Sequence, residues 1–542
     1  MKTHEVSNQS PSLVDINLYE IDAPLLELTM SRLDKKAISK IHDYGALMGA
    51  DKWIKAGALA NEHAPVFHSH DHKGYRVDEV TFHPAYHELM SLSVEHGLHA
   101  SPWQNRSAGS HLARMAMYYL SGQNESGHGC PITMTFSSVP AIKKHLSQAD
   151  EWIPKILSGQ YDGSNRPYFE KQGLTIGMAM TEKQGGTDVR ANTTTAVPLN
   201  KKGKGEPYLL TGHKWFCSAP MCDAFLTLAQ TEAGLSCFLF PRWKPDGQKN
   251  DFSIQRIKDK LGNRSNASSE IEFDGAFAWL MGAEGRGVAT IIEMVALTRY
   301  DCMIGSSAIM RRGLNEVLHH VNHRSVMGKK LIDQDLMRNV IADLALESTA
   351  ALALTTRVAL CLDRSGDKSE DLLLRLLTPI GKYWLTKRAS PFLVEAMECL
   401  GGNGYVEQSI LPRLYREAPV NAIWEGSGNV QCLDVMRAMS KSPEIIDVYI
   451  AELDKAKGIH PAYDQLIQNI RAGLDHIDAY NARRITNQLA IAMQTAQLYD
   501  LYDERFAKAF IQSRTDNMGQ HMYGCLSDES AIDYVLSKVD WH

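Results

Sequence analysis

Four short stretches of this 542-residue chain combine residue types that could do chemistry. The first is Met180-Thr181-Glu182-Lys183-Gln184-Gly185-Gly186-Thr187-Asp188-Val189, which follows the strand-like run Leu174 to Ala179. Two adjacent glycines let backbone N–H groups approach a ligand, and Thr181 and Thr187 add hydroxyls; the combination suits the polar edge of a ring or a phosphate. A plain β-turn is the simpler explanation of the same residues. The second stretch is Trp215-Phe216-Cys217-Ser218, where an indole beside small polar groups can cover a flat aromatic ligand. Taken alone, a core tryptophan of a β domain explains it more simply. The third, Glu398-Cys399-Leu400-Gly401-Gly402-Asn403-Gly404-Tyr405, closes a long helical pattern, and helix capping is sufficient reason for Gly401 and Gly402. In the fourth, Ile423-Trp424-Glu425-Gly426-Ser427-Gly428-Asn429, a carboxylate precedes a small-residue turn that opens the next helix. Glu425 is either a base or a solvated residue near a helix start, where negative charge is stabilised.

These stretches need elements to hold them. Apolar residues recur at helical spacing from about residue 24 to 160. Near Gly173 the pattern changes to short apolar or alternating runs, punctuated by glycine and proline as far as about Met281. Long helical periods return from Glu284, four in succession, and after Ser442-Pro443 a further helical stretch runs to His542. The expected class is α+β: a mainly helical domain over 1–172, an antiparallel β domain over 173–282, a four-helix bundle over 283–440 and a helical appendix over 441–542. The first stretch then follows a strand, the second lies on one, and the third and fourth sit at helix ends.

Composition narrows the function classes. An apolar share of 44% and a charged share of 22% are ordinary for a globular chain. The net charge of -6 gives no overall electrostatic reason to expect nucleic acid or anionic membrane. Nine dispersed cysteines without a C-x-x-C pair read as reduced thiols. With no signal-peptide pattern at the N-terminus and no apolar run approaching the roughly 18–20 residues of a membrane span, a cytoplasmic location away from membranes is expected. His68-Ser69-His70-Asp71-His72 lacks ligands at recognised spacing, so no metal is expected there. No G-x-G-x-x-G follows a strand and opens a helix, which leaves a Rossmann unit without support.

In order and spacing, the four stretches together resemble the acyl-CoA dehydrogenase family over about residues 80 to 440. Further matches are Lys260-Leu261-Gly262-Asn263-Arg264 with Phe273-Asp274, Met281-Gly282-Ala283-Glu284-Gly285-Arg286-Gly287, and Arg324-Ser325-Val326-Met327-Gly328. The branch that the chain resembles most is the AidB-type alkylation-response flavoproteins. Cys130 to Phe136, Lys258 to Ser268, Ile423 to Asn429 and the extra helical region carry that likeness.

The resemblance implies FAD as cofactor, held by Met180, Thr181, Gly186, Thr187, Trp215, Phe216, Cys217, Ser218, Arg324, Gly401, Gly402, Gly404, Trp424, Ser427 and Asn429. It implies Glu425 as the base in α,β-dehydrogenation of an acyl-CoA, with Arg299 near the CoA end; a helix-surface salt bridge explains Arg299 about as well. It further implies an electron acceptor such as an electron-transfer flavoprotein, and a homotetramer. As the alternative, it implies a flavin-containing protein that binds double-stranded DNA under alkylation stress. Residues 438–542 hold ten Lys and Arg against fifteen Asp and Glu, which is the wrong sign for a surface that binds phosphates by charge. Lys183-Gln184 stand where the family usually has proline and a small residue, so added bulk is expected at the cofactor edge.

Overall fold

The five residues from His68 to His72 lie on a hairpin within the otherwise helical N-terminal region. Strands β1 (Val66–His70) and β2 (Arg76–Thr81) pair antiparallel. Asp71 closes the turn by accepting from the N–H groups of Lys73 (2.8 Å) and Tyr75 (2.9 Å), and Gly74 takes a φ of 90°. A side-chain acceptor followed by a left-handed glycine is sufficient reason for the chain to reverse here. The alternating run thus makes a local hairpin where the helical reading had no strand.

In the computed structural model, which describes residues 3–515 and 522–542, the chain forms two compact units. One comprises Lys52–Arg106 and Glu125–Asp301. Its centre is a seven-stranded sheet of β3 (Ile176–Ala179), β4 (Thr195–Pro198), β5 (Pro207–Ser218), β6 (Ala224–Thr231), β7 (Gly234–Pro241), β8 (Phe252–Ile257) and β9 (Ser268–Met281). The pairings β6–β4, β4–β5, β5–β9, β9–β7 and β7–β6 form a closed circuit, so five strands make a small barrel, with β3 on β6 and β8 on β9. Most pairings are antiparallel; β3 and β4 run parallel to β6. The first six residues of β6 are all buried, consistent with its continuous apolar run. Phe240 fills the barrel by stacking on Phe225 (4.9 Å) and meeting Phe273 edge-on (5.0 Å).

The other unit comprises Met1–Asp51, Ser107–Asn124 and Cys302–His542. Its long helices are the later part of Gly287–His323, then Asp335–Asp363 and Lys368–Leu400, followed by the shorter Leu411–Ile423 and Gly428–Lys441. The third of these approaches the first closely at Gly381, where an added Cβ would lie 2.2 Å from Met303. The Asp335–Asp363 helix is long and apolar enough to cross a membrane, contrary to the sequence expectation that no run comes near that length. It is instead a core helix, with 94% of its apolar window buried.

Buried ion pairs join the last helices to this core. Arg514, on Glu504–Thr515, donates to Asp343 (2.7 Å) and Glu347 (2.9 Å), while Arg388 also meets Glu347 at 3.2 Å. Arg357 likewise bridges Glu370 and Glu452, at 2.6 Å each. Removing one member of a buried pair leaves an uncompensated charge and costs roughly 3–5 kcal/mol. Arg514→Met should therefore lower the unfolding free energy by about 3 kcal/mol, measured by urea denaturation of the helical circular dichroism signal.

Candidate functional site

The loop after β3 is built around a carboxylate that the sequence reading left without a role. Glu182 and Lys214 are both fully buried and form an ion pair at 2.8 Å. The same carboxylate accepts from the backbone N–H groups of Thr193 (2.6 Å) and Thr194 (3.1 Å), the Thr193 hydroxyl (3.0 Å) and Gln184 Nε2 (2.9 Å). Burial alone would raise the Glu182 carboxyl, but Lys214 and the hydrogen bonds outweigh it and hold the group well below the usual carboxylate range. Lys214 also donates to the Leu228 carbonyl (2.7 Å), so the loop is tied to β5 and β6 together.

On this anchor the structure brings the first two stretches side by side. The Trp215 N–H donates to the Thr181 carbonyl at 2.8 Å, which joins β5 to the loop. Gly185 has a φ of 140°, and a Cβ at Gly186 would meet Thr181 Oγ1 at 2.4 Å, so both glycines are required by the turn itself. Gly186 and Thr187 are exposed, Met180, Thr181, Trp215 and Ser218 are half-buried, and Phe216 is 48% exposed. Cys217 points into the core, where burial pushes its thiol up to about 12. Lys258 lies 3.8 Å from the Trp215 ring centre, with Lys183 and Arg256 each at 5.6 Å. Gln184 is exposed, and its amide donates to Glu182 and to the Ala191 carbonyl (3.1 Å), which ties its side chain to the loop. A cleft of about 190 Å³ in the same unit has Ala219, the residue after Ser218, in its wall with Phe82, Tyr86, Met90, Pro131 and Met221.

In the other unit the fourth stretch is held in an unusual backbone. Glu425 has a φ of 57° and is half-buried, between the end of Leu411–Ile423 and the start of Gly428–Lys441. A left-handed conformation is uncommon outside glycine and persists only where the surroundings enforce it. Buried Lys382 donates to the carbonyls of Trp424 (2.7 Å) and Gly426 (2.5 Å), and buried Gln431 to those of Glu425 (3.1 Å) and Gly426 (2.8 Å). The Trp424 indole donates to Asn421 (3.1 Å). Ser427 stands at the N-cap of the next helix, and Asn429 accepts from Arg483 at 2.8 Å.

The third stretch and Arg324 both meet the N-terminal segment. Arg324 donates to the Asn8 carbonyl at 2.6 Å, and Asn403 lies 3.4 Å from the Gln9 side chain. At Gly401 and Gly402 a Cβ would find nothing within 4 Å, whereas at Gly404 it would meet the Met397 carbonyl at 2.5 Å. Gly401 and Gly402 therefore face open space, and Gly404 is set by packing. Arg299 is half-buried on the Gly287–His323 helix. A Ser93–His128–Glu125 relay, with links of 2.9 and 2.7 Å, has the residue types of a nucleophile, base and orienting acid. All three side chains are buried, at 1%, 2% and 3% exposure, so the relay serves packing.

Family models match three consecutive regions: the adaptive response protein AidB N-terminal domain over residues 8–163, the acyl-CoA dehydrogenase middle domain over 177–276, and the acyl-CoA dehydrogenase C-terminal domain over 285–440. AidB of Escherichia coli (strain K12) is 42% identical over 96% of this chain and 95% of its own length. The chain belongs to the AidB-type acyl-CoA dehydrogenase family. The solved structure of Caenorhabditis elegans ACDH-11 in complex with C11-CoA is 26% identical, with a TM-score of 0.84 over 99% of this chain and 93% of that one. Another, titled Bd2924 apo-form, is 27% identical, with a TM-score of 0.83 over 91% and 99%.

Acyl-CoA dehydrogenase family members are FAD-dependent flavoproteins, and the residues of this AidB-type chain fit that cofactor. The Gly186–Thr187 loop is exposed on the same β-domain surface as half-buried Trp215 and exposed Phe216, and in the other unit a Cβ at Gly401 or Gly402 would find nothing within 4 Å. Sequence reasoning missed Glu182, Lys214, Lys382 and Gln431, the groups that fix these loops. The one local signal was Lys382 set between apolar neighbours in Ile380-Gly381-Lys382-Tyr383-Trp384, and Lys214 had none.

Two expectations follow. Glu182→Gln should leave Lys214 buried without its counter-charge and cost roughly 3 kcal/mol near neutral pH. Because the folded Glu182 carboxyl lies below its unfolded value of about 4.3, its stabilisation is present above that pH and lost as pH falls further. The variant should therefore show a shallower acid limb in urea midpoints measured from pH 7 downwards. Lys382→Met should cost about 2 kcal/mol by leaving carbonyls without a donor, and should speed amide exchange over residues 425–428.

Proposed function

We propose that this protein is an FAD-dependent oxidoreductase acting on the CH–CH bond of an acyl-CoA thioester, with Glu425 as the base. The observation that carries this reading is the half-buried Glu425 in a left-handed turn held by Lys382 and Gln431. A carboxylate presented from strained, over-determined backbone is what a positioned proton acceptor requires. Glu425 takes the proton from the carbon next to the thioester carbonyl. FAD, when bound, supplies the acceptor for the hydride leaving the neighbouring carbon.

Met180, Thr181, Gly186, Thr187 and Trp215 to Ser218 hold the cofactor from the β domain in this reading. Arg324, Gly401, Gly402, Gly404, Trp424, Ser427 and Asn429 hold it from the helical elements, and Arg299 serves the CoA end. An electron-transfer flavoprotein as acceptor, a homotetramer and a cytoplasmic location belong to the same proposal. The C11-CoA in the ACDH-11 structure supports an acyl-CoA as ligand. The cleft beside β5 offers apolar surface in the unit that carries the Trp215 strand.

The alternative, a DNA-protecting flavoprotein with little turnover, gains less from the structure. Several basic groups of the C-terminal region are engaged within the chain: Arg514 with Asp343 and Glu347, Arg471 with Asp454, Lys508 with Glu504, and Arg483 with Asn429. A surface that binds phosphates needs such charges available.

Anaerobic titration with short, branched and C11 acyl-CoAs separates the two readings. Bleaching of the oxidised flavin band, slowed by about 10²–10⁴-fold in Glu425→Gln, is the expected result. Bound flavin that no acyl-CoA reduces, together with salt-sensitive duplex binding, would replace dehydrogenation by the DNA-associated role.

A further inference from the structure

At the end of the Gly287–His323 helix the fold assembles three imidazoles from distant parts of the sequence. His319 and His323 stand one turn apart on the helix, and His542 follows the Glu529–Val539 helix. One ring nitrogen from each lies within 4.8 Å of the others. The ring centroids are 4.4 Å apart for His319 and His323, and 5.3 Å from each of these to His542. The Trp541 ring lies nearly parallel to that of His319, at 7° and 6.2 Å. Asp540 accepts from Asn322 at 3.0 Å, which ties the segment before His542 to the same helix.

The hydrogen bonds fix which nitrogens carry lone pairs. His319 Nε2 faces the Pro11 carbonyl at 2.9 Å. A carbonyl only accepts, so Nε2 holds the proton and Nδ1 of the neutral ring is an acceptor. That Nδ1 is buried with no hydrogen-bond partner, in a side chain only 8% exposed. A buried polar atom left this way carries a desolvation cost. His323 Nδ1 faces the His319 carbonyl at 2.7 Å, which by the same reasoning leaves its Nε2 as an acceptor. Donation of the second ring nitrogen to a backbone carbonyl is the outer contact that orients metal-binding histidines and raises their basicity.

We propose that His319, His323 and His542 bind a divalent transition-metal ion, zinc first, with water completing the coordination. Three imidazoles suit zinc, copper or nickel, whereas magnesium and calcium prefer oxygen ligands. Zinc–nitrogen bonds of about 2.0–2.1 Å place tetrahedral ligand atoms roughly 3.3 Å apart. Ligand atoms up to 4.8 Å apart must therefore close by as much as about 1.5 Å, and the exposed His323 and His542 side chains can supply that movement by small side-chain rotations. Such an ion clips the segment after Val539 to the Gly287–His323 helix.

The test uses the full-length, untagged protein, treated with a chelator, dialysed and then equilibrated with zinc alone or cobalt(II) alone. About one zinc per chain at micromolar concentration, with visible cobalt bands of the tetrahedral type, is the expected result. His323→Ala and His542→Ala should each weaken zinc binding at least tenfold, and His68→Ala should not. Both altered side chains are exposed, and an unchanged far-ultraviolet circular dichroism spectrum of the metal-free variants confirms that loss of binding is not loss of fold. Sub-stoichiometric zinc in the unaltered protein, or zinc held equally well by both variants, would overturn the assignment.

Discussion

Lys382 is a charge without solvent, and the carbonyls that accept from it make its burial tolerable. Much of the local architecture follows from that constraint. The turn over Trp424–Gly426 must aim two carbonyls at one ammonium group, which a continuing helix could not do. The Leu411–Ile423 helix therefore stops, and Glu425 takes a left-handed φ of 57°. The next helix starts at Gly428, where an added Cβ would lie 2.5 Å from Lys387, so a larger residue there would push against the same long helix. The backbone strain at Glu425 is held by the buried donors of Lys382 and Gln431.

The β domain uses the same device with a different partner. Lys214 reaches Glu182 and the Leu228 carbonyl, and Glu182 then gathers the N–H groups of Thr193 and Thr194. Each of the two loops that present exposed polar backbone is thus braced by a lysine from an adjacent regular element. A ligand site needs irregular backbone with groups turned outward, and irregular backbone is costly to place against a core. A buried cation with several acceptors fixes such a loop from beneath and leaves its outer face available. Glu182 and Lys382 thus fix the positions of their loops, whose outer groups are the ones assigned to the ligand in the proposed function.

How far this was legible in the sequence depends on whether the information was local. The change of period at Gly173 marked the β domain, and Ile176 to Met281 bound its strands. The glycines of the Gln184–Thr187 and Leu400–Tyr405 stretches are visible as such because Gly185, Gly186, Gly401 and Gly404 each meet a backbone requirement within a few residues. The braces were not legible: a lysine in a sequence reads as a solvated side chain, and nothing near Lys214 or Lys382 names its acceptors. The β1–β2 hairpin was missed because its alternation is short and lies among helices. The histidine cluster shows the limit most plainly. His68 to His72 drew attention by adjacency, yet along a strand such residues alternate between faces. His319, His323 and His542 converge only after folding.

The cations around Trp215 bear on what this face of the β domain accepts. Lys183, Arg256 and Lys258 lie within 5.6 Å of one indole, and Glu270 faces only the latter two, at 2.8 and 2.6 Å. The local balance is positive although the whole chain carries -6. Cations held beside an aromatic face keep part of their field directed outward, and the low-dielectric wall behind them strengthens it. FAD and CoA both carry phosphates, so a positive rim beside a flat aromatic wall suits either, whereas a neutral apolar ligand would gain nothing from it. Lys183 stands where the family usually has proline, and its ammonium group contributes to this rim. The substitution therefore adds a positive charge beside the indole. Its consequence belongs with anion affinity and with the electrostatics of the bound cofactor.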